Sequence, residues 1–169
     1  SMSGLERLIR EAHIPHNWQF TPEQMTEIIA AKFPGAQVSQ VRLLDGSDGT
    51  SSRARLGLKY AKGSGPESVF AKTEGDIKHR LLHVLTGNLY REALMYRSGV
   101  PLPVEHPNPI HGSVDRLRLN QLVIMEDVST RGVTLNDSMK PLTVDDVASG
   151  LRGLARLHTA FWRFSSKSY

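Results

Sequence analysis

The apolar positions of this chain change period several times, and each change marks a different kind of element. Ser3-Gly4-Leu5-Glu6 has capping-box spacing, and Leu5, Leu8 and Ile9 give a short first helix one apolar side. Thr21-Pro22-Glu23-Gln24 repeats the signal with proline at the first helical position. Met25, Ile28, Ile29 and Phe33 form the stripe of this second helix, and Pro34-Gly35 ends it. From Gln37 the period falls to two. Val41 and Leu43 alternate with polar residues up to a turn at Gly46, Ser47, Asp48 and Gly49. Beyond it Ala54, Leu56, Leu58 and Tyr60 alternate with Arg53, Arg55, Gly57 and Lys59, the mark of a strand with one wet face. A Gly-Ser-Gly-Pro turn leads into a third strand from Glu67 to Thr73. Three short strands joined by tight turns predict an antiparallel meander.

The period then lengthens again. Ile77, Leu81, Leu82, Leu85 and Leu89 recur at helical spacing, with Gly87-Asn88 dividing the region and Asn88 placed to cap the second part. Pro101 and Pro103 end it, and two more strands follow Pro109. The second, Leu122-Val123-Ile124-Met125, is apolar at every position, which predicts an interior strand. After a connector, Thr143-Val144-Asp145-Asp146 opens a long helix with Val147, Leu151, Leu154, His158 and Phe161 on one face. The expected class is α+β: a five-stranded antiparallel sheet with a helix packed on it. Two short helices precede it (residues 1–36), the sheet lobe runs over 37–124, and a connector and long helix occupy 125–169.

Composition narrows the function classes only slightly. The net charge is +4, which suits an anionic partner, yet the basic residues are scattered and do not interleave with aromatics as in a nucleic-acid binder. Nucleic acid is therefore not expected as a partner. The chain has no cysteine, so thiol and disulfide chemistry are excluded. Charged residues at Glu6, Arg7, Arg10 and Glu11 break any signal-peptide core, and no apolar run reaches membrane-span length. A cytoplasmic location and no membrane partner are expected.

The candidate chemistry lies in Ser68-Val69-Phe70-Ala71-Lys72 and in Glu92 twenty residues later. Lys72 shares a strand face with Phe70 and Ser68, opposite Val69 and Ala71. Alone, a lysine ending an apolar strand reads as a solvated edge. Glu92 alters that reading, because its helical neighbours Asn88, Leu89, Met95 and Tyr96 include no cation. A carboxylate beside an apolar stripe needs a partner from elsewhere, and Lys72 is the candidate, unless Glu92 simply faces water. Glycines at 46 and 49 would let a backbone approach a phosphate closely, although such a segment is also an ordinary hairpin turn. His158 reads as a hydrogen-bonded histidine of an apolar face, and His79 and His83 as solvated.

In this order the motifs resemble the aminoglycoside phosphotransferase and choline-kinase-like superfamily, relatives of protein kinases, over residues 37–162. Gly46, Ser47, Asp48 and Gly49 look like the phosphate-covering loop, and Val69-Phe70-Ala71-Lys72 like the strand carrying the phosphate lysine. Glu92-Ala93-Leu94-Met95-Tyr96 is similar to the family's E-x-x-x-Y helix, and Met125-Glu126-Asp127-Val128 to the hinge that holds adenine. Leu154-Ala155-Arg156-Leu157-His158 and Trp162 resemble the first helix of a C-terminal lobe. The resemblance implies a kinase-like nucleotide-binding lobe of an ATP-dependent phosphotransferase acting on a small-molecule hydroxyl. Phe70 would flank adenine, Met125, Glu126 and Val128 would line the hinge, and Lys72, held by Glu92, would contact the phosphates. The alternative is a non-catalytic nucleotide-binding or interaction module. The family's H-G-D-x-x-x-x-N segment and its magnesium ligands are expected beyond Trp162, outside this chain, so the chain alone is expected to be inactive. His111-Gly112-Ser113-Val114-Asp115 mimics that segment only superficially, with serine where aspartate is required. The apolar face from 147 to 161 is expected to recruit a second copy of the chain.

Overall fold

A computed structural model describes residues 14–47, 51–133 and 140–162. The expected first helix at residues 3–9, and Asp48 and Gly49, lie outside the described residues. Those residues form four α-helices and five strands: α1 (Pro22–Ala30), β1 (Gln37–Ser47), β2 (Ser51–Lys62), β3 (Ser68–Glu74), α2 (Ile77–Leu85), α3 (Arg91–Ser98), β4 (Pro109–Asp115), β5 (Asn120–Glu126) and α4 (Val144–Ala160). The class is α+β, and every strand pairing is antiparallel. The chain divides into two compact units. One contains the described residues through Val100 together with Pro107–Asp127, and the other contains Pro101–His106 with the described residues from Val128 onward.

The sheet of the first unit runs β1-β2-β3-β5-β4. β5 thus sits between β3 and β4, as its unbroken apolar run predicts, and all but its last residue are buried. Period-two alternation sends Ala54, Leu56 and Leu58 of β2 and Val69 and Ala71 of β3 into one core with Leu122 and Ile124 of β5. α1 covers this face with Met25 and Ile29, both fully buried. Each such side chain stabilises the packed state by about 1.5–3 kcal/mol. Thr21 and Gln24 close a reciprocal capping box at the start of α1. The Thr26 hydroxyl donates to the Pro22 carbonyl at 2.8 Å and accepts the Val38 amide at 2.9 Å, which clips α1 to β1.

The opposite face carries a smaller cluster of Ala93, Val123 and Met125, with Phe70, Tyr96 and Val114 packed against it. α3 provides the cover. A Cβ on Gly112 of β4 would press into the Ala93 carbonyl oxygen, so glycine there permits the helix to lie directly on the strand. His111-Gly112-Ser113-Val114-Asp115 is therefore the β4 strand itself. Asp115 is fully buried and accepts from the Arg118 amide at 2.9 Å and its guanidinium at 3.1 Å, closing the β4–β5 turn.

Two expectations fail in detail. α3 does not start from an Asn88 cap: its N-cap is Tyr90, in the left-handed region at φ 71 and without a side-chain cap bond. Among the described residues nothing buries the apolar stripe of α2, and Ile77, Leu81, Leu82 and Leu85 are exposed. In the second unit α4 begins with the expected Thr143 cap, here bonded to Asp146, and likewise has no buried residue. Among the described residues no helix is long and apolar enough to cross a membrane.

Gly112→Ala should lower stability by about 1–3 kcal/mol, read from urea unfolding, because the obstacle is backbone and cannot rotate away. Unchanged stability would mean that α3 does not lie on β4 as described. Burial pushes the His111 imidazole below its ordinary pKa. With the folded-state pKa depressed, the unfolded chain binds the proton first as pH falls below about 6.5, so stability should be complete above that pH and decline beneath it. Urea midpoints measured from pH 7.5 to 5.5 should show that decline, smaller in His111→Gln.

Candidate functional site

The alternation that buries Val69 and Ala71 in the main core turns Phe70 and Lys72 to the face that α3 partly covers. Lys72 stands between Arg53 of β2 and Val123 of β5 in the cross-strand register. Glu92 lies in the first turn of α3, where the helix dipole favours an anion. The two side chains meet, with Lys72 Nζ 2.5 Å from Glu92 Oε2. They are 31% and 29% exposed, shielded enough from water to hold a geometry yet open to a ligand. The partner that Glu92 lacks on its own helix is thus supplied by a strand.

A second layer of polar groups steadies α3. Gln121 of β5 accepts the Ala93 amide at 3.1 Å through Oε1, while its Nε2 donates to Glu74 Oε1 at 2.5 Å. The other Glu74 oxygen lies 2.6 Å from His83 Nδ1 on α2, and the Glu74 amide donates to Asn120 Oδ1 at 3.1 Å. Glu74 is buried, and without these partners its desolvation would be costly. Tyr90 adds a bond from its hydroxyl to the Asp115 carbonyl at 3.3 Å, with the Arg116 guanidinium 5.7 Å from the ring centroid. Burial first, then the Glu92 charge, push the Tyr96 phenol above its ordinary pKa. His83, expected to be solvated, instead serves Glu74. Sequence reasoning missed Glu74 and Gln121. The available signal was position: Glu74 follows Lys72 by two residues and so shares its face. Lys72, Glu92, Glu74, Gln121, His83 and Arg91 border a cleft of about 370 Å³.

At the other end of the strands, a carboxylate that was not singled out organises the exit from the sheet. Asp127 is only 3% exposed. Its Oδ2 accepts Arg55 Nε at 3.0 Å and Ser68 Oγ at 2.7 Å, and Arg55 also reaches Asp45 at 3.1 Å. The hydrogen bond to Asp127, followed by the one to Asp45, holds the Arg55 guanidinium above its ordinary pKa. This arginine ties together β1, β2 and the residue that follows β5.

The remaining expected site residues divide by location. Gly46 and Ser47 end β1, paired with Ala54 and Arg53, so a single register line runs Ser47, Arg53, Lys72, Val123 across the sheet. Phe70 is half-buried against the α3 cluster, and Met125 is buried there, 3.7 Å from the Tyr96 hydroxyl through its sulfur. The Glu126 amide donates to the Asn108 carbonyl at 2.9 Å, and its carboxylate accepts from the Asn108 side chain at 2.7 Å. Val128 belongs to the second unit, where it opens a short 3-10 turn, Val128–Arg131. His158 is exposed on α4 and not buried in an apolar face; among the described residues nothing buries any position of α4. Among the described residues no three His, Asp or Glu side chains converge as a metal site would require.

No family model matches the chain, no curated protein matches it, and no solved structure matches it.

Asp127→Asn and Arg55→Gln should each lower the urea midpoint, and the double variant should lose less than the sum, since either change removes the same contact. Additive losses would show that the two groups act separately.

Proposed function

We propose that this chain carries the nucleotide-binding lobe of an ATP-dependent phosphotransferase of kinase-like fold, acting on a small-molecule hydroxyl. The observation that carries this reading is the Lys72–Glu92 ion pair. Protein kinases hold nucleotide phosphates with a lysine of the third strand oriented by a glutamate of the helix that follows. Here the lysine ends Val69-Phe70-Ala71-Lys72 on the third strand, and the glutamate comes from a helix between the third and fourth strands. The register also sets Ser47, the last residue of β1, in line with Lys72.

Phosphoryl transfer depends on positioning and on neutralising charge. In this reading Glu92 fixes the ammonium of Lys72, which would otherwise sweep through several rotamers, and the ammonium then meets phosphate oxygens at a defined point. The buried Glu74 and Gln121, with the half-buried His83, act one step back by anchoring α3. Phe70 lies beside Lys72 on the same face, half-buried against the α3 cluster. Magnesium, which such chemistry employs, finds no donor set among the described residues, and none of these roles involves it.

Thermal shift with Mg-ATP tests the reading. Saturating nucleotide should raise the midpoint of the wild type, since a ligand at a hundred times its Kd adds about 2.7 kcal/mol. Lys72→Ala should abolish the shift. No shift in the wild type, or an equal one in the variant, would sink the assignment.

A further inference from the structure

The cleft that Lys72 borders holds a second cation. Arg91 opens α3, one residue before Glu92, and lines the same cleft as Lys72 and Glu92. Its Nε donates to the Gly87 carbonyl at 2.7 Å, at the turn that joins α2 to α3. That bond fixes the stem of the side chain and leaves both terminal nitrogens of the guanidinium to another partner. Among the described residues Arg91 forms no ion pair.

The acids of the cleft are already engaged. Glu92 is held by Lys72, and Glu74 is shared between His83 and Gln121. Of the ammonium and guanidinium groups that line the cleft, Arg91 alone has no acid against it, so an anion beside Lys72 meets an unmatched positive charge. Asn88 also lines the cleft and is not the cap of α3, which leaves its side-chain amide as a further donor. At about 370 Å³ the cleft lies near the lower end of ligand cavities, roughly 300–1,000 Å³, and no Phe, Tyr or Trp lines it. It suits a compact anion better than a nucleobase. A guanidinium offers phosphate two parallel N–H donors, whereas an ammonium acts as a point charge, so the two are complementary around one phosphate chain.

We propose that Arg91 binds the phosphate chain of a nucleoside triphosphate in the cleft it shares with Lys72. The assignment rests on the nucleotide reading above and adds a residue which that reading does not require. Helix α3 then serves the ligand twice, through Glu92 by orienting Lys72 and through Arg91 by direct contact.

Calorimetric titration of the full chain with ATP and with inorganic tripolyphosphate decides the matter, using wild type, Arg91→Gln, Arg91→Lys and Arg97→Gln. Arg97 is the control, an exposed arginine in the last turn of α3 and outside the lining of the cleft. Far-UV circular dichroism checks folding of each variant. Arg91→Gln should weaken ATP roughly tenfold, the size of one charge-assisted hydrogen-bond contact, and Arg91→Lys should recover part of the loss. Arg97→Gln should change the affinity by less than about twofold, because salt screens a charge that makes no contact. Should Arg91→Gln misfold, Arg91→Met, which keeps an apolar stem, carries the comparison with the same expected loss. Equal ATP affinity in the wild type and the folded neutral variant overturns the role of Arg91 and leaves the nucleotide reading standing. A loss of the same size in Arg97→Gln reveals a general effect of charge and overturns the contact. Absence of ATP binding by the wild type overturns the nucleotide reading and the role of Arg91 with it. Tripolyphosphate binding as tightly as ATP overturns the assignment to a nucleoside triphosphate in favour of a bare polyphosphate.

Discussion

An apolar strand that must be covered on both faces governs the arrangement of the first unit. β5 is buried from Asn120 to Met125 and lies between β3 and β4. Its even-numbered apolar residues, Leu122 and Ile124, enter the core that α1 closes, and Val123 and Met125 enter the cluster under α3. Water on either face would forfeit about 25 cal/mol for each Å² of apolar surface left exposed. A helix is thus required on the second face, and Gly112 lets it come close. The position of Glu92 over Lys72 follows from that packing, since Glu92 precedes the buried Ala93 by one residue.

The polar groups of this unit are arranged so that burial does not orphan them. Glu74, Asp115 and Asp127 are all nearly inaccessible, and each accepts from at least two donors on other parts of the chain. Removing one partner of such a set costs more than the set contributes over apolar replacements, because the group left behind has lost its water as well. These contacts therefore specify geometry more than they add stability. Glu74 does so for α3, Asp115 for the β4–β5 turn, and Asp127 for the strand exit.

Much of the architecture was legible from periodicity alone. The alternation in β2 and β3, the proline-led cap of α1 and the unbroken apolar run of β5 are local patterns with one physical reading each. The Lys72–Glu92 contact was legible for a different reason: the helix bearing Glu92 offered it no cation, which left water or a distant element, and Lys72 was the candidate. Asp127 and Glu74 were not legible. An acidic residue at a strand end ordinarily faces water, and the neighbours brought by β2, β3, β5 and α2 reveal why these two do not. Asn88 was misread as a cap because its type favours that role, whereas Tyr90 occupies the cap position through contacts with Asp115 and Arg116 that no local rule supplies.

By itself, then, the order of residues determined which stretches form helices and strands, which face of each is apolar, and that Lys72 was the candidate partner of Glu92. Those are consequences of backbone geometry and of the cost of unpaired charge, both of which act over a few residues. Tertiary structure alone decided which apolar faces received a cover. The stripes of α1 and α2 look alike in sequence, yet Met25 and Ile29 are buried while Leu81 and Leu85 remain exposed. Amphipathicity states that a face would gain from burial. Whether another element arrives to bury it depends on the path of the whole chain, which no short window of residues contains.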